Sequence, residues 1–209
     1  MLKIYGIPTL NTTKVIFTAE YLGLDYDFVR MDFSKGEHKT PEHLQRHPLG
    51  KVPAIDHDGK FLFESNTIAL YLARITESSL YPETVYQQAV VQQWIDMMTS
   101  HAGRWLAAHY FENFIKPTFL QGTPDESNLE EANGFLDIQL PAIDKQLENN
   151  TYMCGNEMSV ADLIGFCFFN TCEVSGYDIG QYQSISNWYQ NLRQSQAYTK
   201  TATLLGLPE

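Results

Sequence analysis

Cysteine is almost missing from this 209-residue chain, and none occurs before Cys154. Only Cys167 and Cys172 follow, an odd set without metal-ligand spacing. Cys167 lies in the apolar run VADLIGFCFF, so the three read as reduced, mostly buried thiols. The first half therefore has no thiol for redox chemistry and no metal motif. No run of eighteen apolar residues occurs, so no membrane-spanning helix is expected. Basic residues are scarce, 14 Lys and Arg against 25 Asp and Glu, for a net charge of −11. A protein that follows a nucleic-acid backbone needs a basic face. Nucleic acid is thus set aside as a partner, and an anionic membrane is disfavoured. A small anionic ligand is not, because it feels a local site rather than the net charge. The opening MLKIYG has neither a long apolar signal region nor a cleavage site, and reads as an untargeted, cytoplasmic chain. Serine is also absent between residues 1 and 33, which bears on the chemistry below.

What is present falls into two halves of different period. Leu2 to Tyr5 reads as a short buried strand, and Ile7-Pro8 is turn chemistry. From Thr12 the pattern is helical, with Val15, Ala19 and Leu22 on one stripe and Gly23 as the stop. Tyr26 to Met31 is a second strand. Thr40-Pro41-Glu42 combines an N-cap, a first-turn proline and a first-turn acid, opening a helix to about Arg46. Val52 to Asp56 and Lys60 to Phe63 flank a turn and read as a hairpin. Ser65 then caps a helix through Ile75. The order is βαβαββα, with the first two strands parallel and the last two antiparallel.

Beyond Tyr81-Pro82 strand signals vanish. Val90 and Val91, Trp94 and Ile95, Met98, Ala102 and Trp105 repeat at helical spacing, as do Leu129, Ala132, Leu136, Leu140, Ile143 and Leu147. Pro141 marks a kink or boundary in the second run. Ser159-Val160-Ala161-Asp162 resembles a capping box with Asp in the usual Glu or Gln place. The fold class is α/β plus all-α, with domains at 1–77 and 85–209 and a linker at 78–84.

Four stretches in order, GEHKTPEHL, HPLGKVPAI, LFESNTIALYLA and NEMSVADL, resemble the cytosolic glutathione transferases over nearly the whole chain. GEHK is similar to plant phi-type and related bacterial members, and Thr9-Leu10-Asn11 to a bacterial nu-like group. The resemblance implies a thioredoxin-like N-terminal domain, a C-terminal helical-bundle domain, and a homodimer. It implies glutathione as co-substrate, with no metal or other cofactor. His47 departs from the Asn or Gln usual before the proline of that block.

The residues bear their own reading beside the resemblance. A helix start offers free N–H groups and the positive end of the dipole to a carboxylate. A neighbouring Glu accepts from an ammonium. By resemblance, Glu64 and Ser65 hold glutathione's γ-glutamyl end; by residue type alone, they are a strand end and a cap. The resemblance makes Pro53 cis and assigns the Val52 backbone to the cysteinyl unit. His38, Lys39 and Lys51 are candidates for the glycine carboxylate, or else solvated loop charges.

The family activates its thiol just after the first strand, with Tyr, Ser or Cys. Tyr5 lies inside the strand, and Ser and Cys are absent there. Thr9 and Asn11 remain as catalytic candidates, with a hydroxyl and an amide donor beside a helix start. The competing reading is capping, to which Thr12 and Thr13 are mainly assigned. Lowering a thiol pKa by two units takes roughly 2.7 kcal/mol. The resemblance draws walls for the electrophile from the opening loop and the first long helix of the helical domain. Leu10, Trp105, Tyr110 and Phe111 are the candidates, although aromatics at helical spacing also serve as core. Three functions stay open: transfer of glutathione to small apolar electrophiles in detoxification, nu-like disulfide reduction or peroxide reduction, and non-enzymatic binding.

Overall fold

Strand β1 (Leu2–Gly6) buries Leu2, Ile4 and Tyr5, and it pairs on both sides. In the computed structural model, which describes residues 1–207, it lies between β2 (Tyr26–Arg30) and β3 (Ala54–His57). The β1–β2 pairing is parallel, crossing over through helix α1 (Leu10–Tyr21). The β1–β3 pairing is antiparallel, as is that of β3 with β4 (Lys60–Phe63). The sheet order is β2-β1-β3-β4. Helix α2 (Pro41–Arg46) follows a 3-10 turn at Glu37–Lys39, and α3 (Ser65–Ile75) follows β4. The expected βαβαββα order is thus observed, with both expected strand directions.

The core of this unit joins β1, β3, α1 and α3 through Ile4, Val15, Ile16, Ala19, Ile55, Ile68 and Leu72, all fully buried. Each large aliphatic side chain sealed in this way contributes on the order of 2 kcal/mol. Gly6 permits the close approach of strand end and helix. A Cβ there would lie 2.6 Å from Thr12 Cγ2.

The second unit, Pro82–Arg193, is helical. It contains α4 (Val85–Ser100), α5 (Ala102–Tyr110), a π-helical turn at Phe111–Ile115 and α6 (Lys116–Phe119). Helices α7 (Glu126–Asn149), α8 (Val160–Asn170), α9 (Cys172–Ser175) and α10 (Gln183–Arg193) follow. The stripe that reads as one run from Val91 to Trp105 is broken at His101, whose φ of −122° and ψ of −107° are not helical. Pro141 does not end α7, which continues through it. Ala132, Leu136, Leu140, Ile143 and Leu147 form the buried stripe of that helix.

The last helix, α11 (Gln196–Leu205), packs with the first unit, although the sequence reading carried the helical domain to residue 209. Leu205 completes the core cluster described above, and Tyr198 meets Phe17 of α1 edge to face, centroids 5.7 Å apart. Helical periodicity marks a buried face but not the unit against which it is buried.

Helix α8 is buried nearly end to end, and Asp162 organises its start. Its carboxylate accepts from the Ser159 backbone N–H and hydroxyl, closing the expected box with the shorter acid. It also accepts from Met153 N–H at 2.8 Å and from Trp188 Nε1 at 3.0 Å. Asp162→Ala leaves these donors buried without an acceptor. The variant should lose about 3 kcal/mol or more in chemical denaturation.

Candidate functional site

The sheet register collects three loops at one end of the first unit. Tyr5 pairs with Ala54, and Ala54 with Phe63. The chain leaving β1, the chain entering β3 and the chain leaving β4 therefore emerge side by side. These are the segments that carry Thr9 and Asn11, Val52 and Pro53, and Glu64 and Ser65.

The opening loop differs in detail from its sequence reading. Helix α1 starts at Leu10 rather than Thr12, and Thr9 is its N-cap. Thr9 Oγ1 accepts from Thr12 N–H at 3.2 Å and lies 3.1 Å from Thr12 Oγ1. Thr13 Oγ1 donates back to the Thr9 carbonyl. Thr12 and Thr13 are buried partners of the cap, not caps themselves. The cap needs extended backbone, which Thr9 has at φ −147° and ψ 158°. Asn11 is exposed, and its Oδ1 accepts from Ser65 Oγ at 3.3 Å and Lys14 Nζ at 3.1 Å. One amide oxygen thus ties the start of α1 to the start of α3.

Ser65 is not the cap of α3 but its first residue, and Glu64 holds the cap position. Glu64 has φ 69° and ψ 109°, a positive-φ conformation that a residue with a Cβ rarely adopts. This turn points an exposed carboxylate outward beside the free N–H groups of the first helical turn. Ser65 itself is buried, with its hydroxyl on Asn11.

The Val52–Pro53 peptide is cis, as the resemblance implied. Just before it, the Lys51 carbonyl accepts from Nε2 of buried His43 at 2.8 Å. Gly50, at φ +59°, passes so close to the His38 carbonyl that a Cβ would lie 2.5 Å from it. His38 is half-buried and stacks on Phe33 at 4.1 Å. Lys39 and Lys51 are exposed. His47 is buried, accepts from Leu49 N–H on Nδ1, and lies against the Phe63 ring at 4.9 Å. Burial lowers its pKa from 6.5, and the charge of Glu64 opposes that shift.

Lys14 and His43 were missed by the sequence reading. Lys14 had a signal, since it follows Asn11 by three residues on one helical face. His43 had none, because its partner is a backbone carbonyl eight residues on.

In the helical unit, Trp105 is buried, its ring stacked on Phe135 at 4.5 Å. Tyr110 is half-buried and stacks on Phe114; burial raises its pKa. Phe111 is exposed, and Leu10 of the first unit is half-buried. The cysteines are free thiols, and burial pushes Cys154 up to about 11 and Cys172 to about 12. Among the described residues, no group of His, Cys, Asp and Glu is placed to hold a metal ion. Nor is any described helix long and apolar enough to cross a membrane.

The fold is a thioredoxin-like α/β domain followed by a helical one. Residues 1–74 match the glutathione S-transferase N-terminal domain, and residues 96–196 match the C-terminal domain. The chain belongs to the glutathione S-transferase family. The Oryza sativa subsp. japonica protein named probable glutathione S-transferase GSTF2 is 32% identical over 99% of this chain and 98% of its own length. The structure of glutathione S-transferase I from mais in complex with an atrazine glutathione conjugate superposes with a TM-score of 0.92. It is 30% identical and covers 98% of each chain. Disulfide-bond oxidoreductase YfcG of Escherichia coli (strain K12) is 30% identical over 94% of this chain and 92% of its own.

His47 generates a prediction about pH. Its folded pKa lies below its unfolded value of 6.5, so the unfolded chain binds the proton first. Its contribution to stability is complete above pH 6.5 and is lost as pH falls toward the folded value. His109, also lowered by burial, adds in the same direction. His47→Asn should therefore flatten, but not abolish, the fall in unfolding free energy between pH 7 and pH 5. Denaturation at a series of pH values measures the slope.

Proposed function

We propose that this chain is a glutathione transferase that binds glutathione at the sheet end described above and activates its thiol for attack on small, apolar electrophiles. The observation that carries the reading is the shared hydrogen bonding of Asn11 Oδ1, which joins the opening loop to Ser65 beside Glu64. Glu64 receives the ammonium of the γ-glutamyl end. The Ser65 backbone N–H and the other free N–H groups of the first turn of α3 receive its carboxylate, while the Ser65 hydroxyl holds Asn11 Oδ1. The Val52 backbone, ahead of Pro53, pairs with the cysteinyl unit. His38, Lys39 and Lys51 serve the glycine carboxylate.

Asn11 Nδ2 and the Thr9 hydroxyl face the sulfur as donors. Thr9 Oγ1 accepts from Thr12 N–H and donates to Thr12 Oγ1, and turning that hydrogen from Thr12 to the sulfur gives the thiolate its donor. With the dipole of α1, these groups favour thiolate over thiol. A free thiol near pKa 8.5 is only a few per cent ionised at neutral pH. The thiol proton leaves to solvent, and the thiolate forms a carbon–sulfur bond as the leaving group departs with its electron pair. Leu10 in the opening loop is the proposed contact of the electrophile; for Trp105, Tyr110 and Phe111 that role rests on the family resemblance alone. The family supports a cytoplasmic homodimer acting in detoxification. Disulfide reduction and non-enzymatic binding are not favoured. The rice relative matches more of the chain than the oxidoreductase does, and the maize protein holds a glutathione conjugate.

Retention on immobilised glutathione tests the site, and Glu64→Ala or Ser65→Ala should lose it at least tenfold. Retention unchanged in both would remove the assignment. Turnover of an activated aryl halide in preference to a disulfide supports transfer; the reverse preference supports reduction. Thr9→Val should cost about 1 kcal/mol of stability through the lost cap. Its bound-thiol pKa should also rise, and an unshifted pKa would confine Thr9 to capping.

A further inference from the structure

A lysine buried at the start of α1 is the least expected group in the first unit. Lys14 is 2% exposed, one turn beyond the Thr9 cap. Lysine is seldom buried, because its ammonium loses strong hydration on leaving water. Here Nζ lies 3.1 Å from Asn11 Oδ1. An ammonium has donors only, so the atom facing it is the amide oxygen and not the amide nitrogen. Ser65 Oγ, 3.3 Å away, approaches the same oxygen. With Oδ1 held by two donors, the orientation of the amide is set. Its NH2 group is turned away from Lys14 on a residue that is otherwise exposed.

We propose that Lys14 is a positioning residue of the thiol-activating centre, acting through Asn11. This rests on the proposed glutathione site and extends it to a residue behind the contacting layer. Lys14 does two things there. It fixes the amide so that Nδ2–H is presented to the sulfur rather than flipped. It also places an ammonium, held by Asn11 Oδ1, behind that amide, in surroundings where burial weakens screening. Both effects favour thiolate over thiol, and neither requires Lys14 to touch glutathione.

The link to Ser65 adds a consequence. The group that orients the thiol donor and the group at the γ-glutamyl end share one acceptor. Occupation of the γ-glutamyl end and orientation of the amide are therefore coupled through a single oxygen.

The test compares Lys14→Met, Lys14→Gln and Lys14→Arg with the parent. The pKa of enzyme-bound glutathione is read from thiolate ultraviolet absorbance, and affinity is measured separately with an S-alkyl glutathione, which has no ionisable thiol. Lys14→Met should raise the bound-thiol pKa by about one unit, so that kcat/KM for an aryl halide falls about tenfold below that pKa. Affinity for the S-alkyl ligand should stay within about threefold, and Lys14→Arg should restore most of the parent pH profile. If Lys14→Met does not fold, Lys14→Gln, which also removes the charge, is read in the same way. A bound-thiol pKa equal to the parent's in the folded charge-free variant overturns the proposal. If the parent itself fails to bind the S-alkyl ligand, the glutathione reading falls, and the role of Lys14 falls with it.

Discussion

The pairing of β1 on both sides is the constraint on which the first unit depends. Because β1 runs parallel to β2 and antiparallel to β3, and β3 antiparallel to β4, the loops after β1, before β3 and after β4 share one end of the sheet. A slip of one residue in the β1–β3 ladder would turn the buried Ile4 or Ile55 outward. Core burial and site assembly are therefore fixed by one register. The seal of Val15, Ile16, Ile68 and Leu72 against that sheet also sets where α1 and α3 begin.

Two helix starts then meet across a side chain. Thr9 caps α1, Glu64 takes a left-handed turn into α3, and Asn11 joins the two through Ser65. The cost of a non-glycine residue at positive φ, about 1 kcal/mol or more, is borne where the carboxylate must point outward. The same economy of atoms appears at Asp162 in the helical unit, where one buried carboxylate satisfies donors from a loop, a cap and an indole. The first arrangement leaves polar groups facing solvent and can take a ligand. The second is closed and serves only the fold.

Much of the architecture was legible. The period of two in the strands and of 3.6 in the helices, with Thr40-Pro41-Glu42 and Ser159 to Asp162 as punctuation, placed most elements within a few residues. The misses have physical causes. Thr12 and Thr13 carry the same hydroxyl as Thr9, and which threonine caps depends on backbone angles that composition does not encode. Ser65 has a favoured cap side chain, yet Glu64 occupies the cap because the turn out of β4 is left-handed. Of the kink or boundary read at Pro141, only the boundary fails, because α7 and its buried stripe continue on both sides of it.

The two halves, the strand directions, the absence of a thiol in the first unit and the short blocks that resemble a glutathione site could all be read along the chain. Those depend on local periodicity and on residue chemistry, which are properties of neighbours along the chain. Folding was needed to bring α11 back to the first unit, His43 to the Lys51 carbonyl, and Lys14 into its buried place behind Asn11. Each of these is a choice of partner rather than of conformation. Helical spacing says that a face is buried and a lysine says that a charge is present; neither says what lies opposite until the chain has closed on itself.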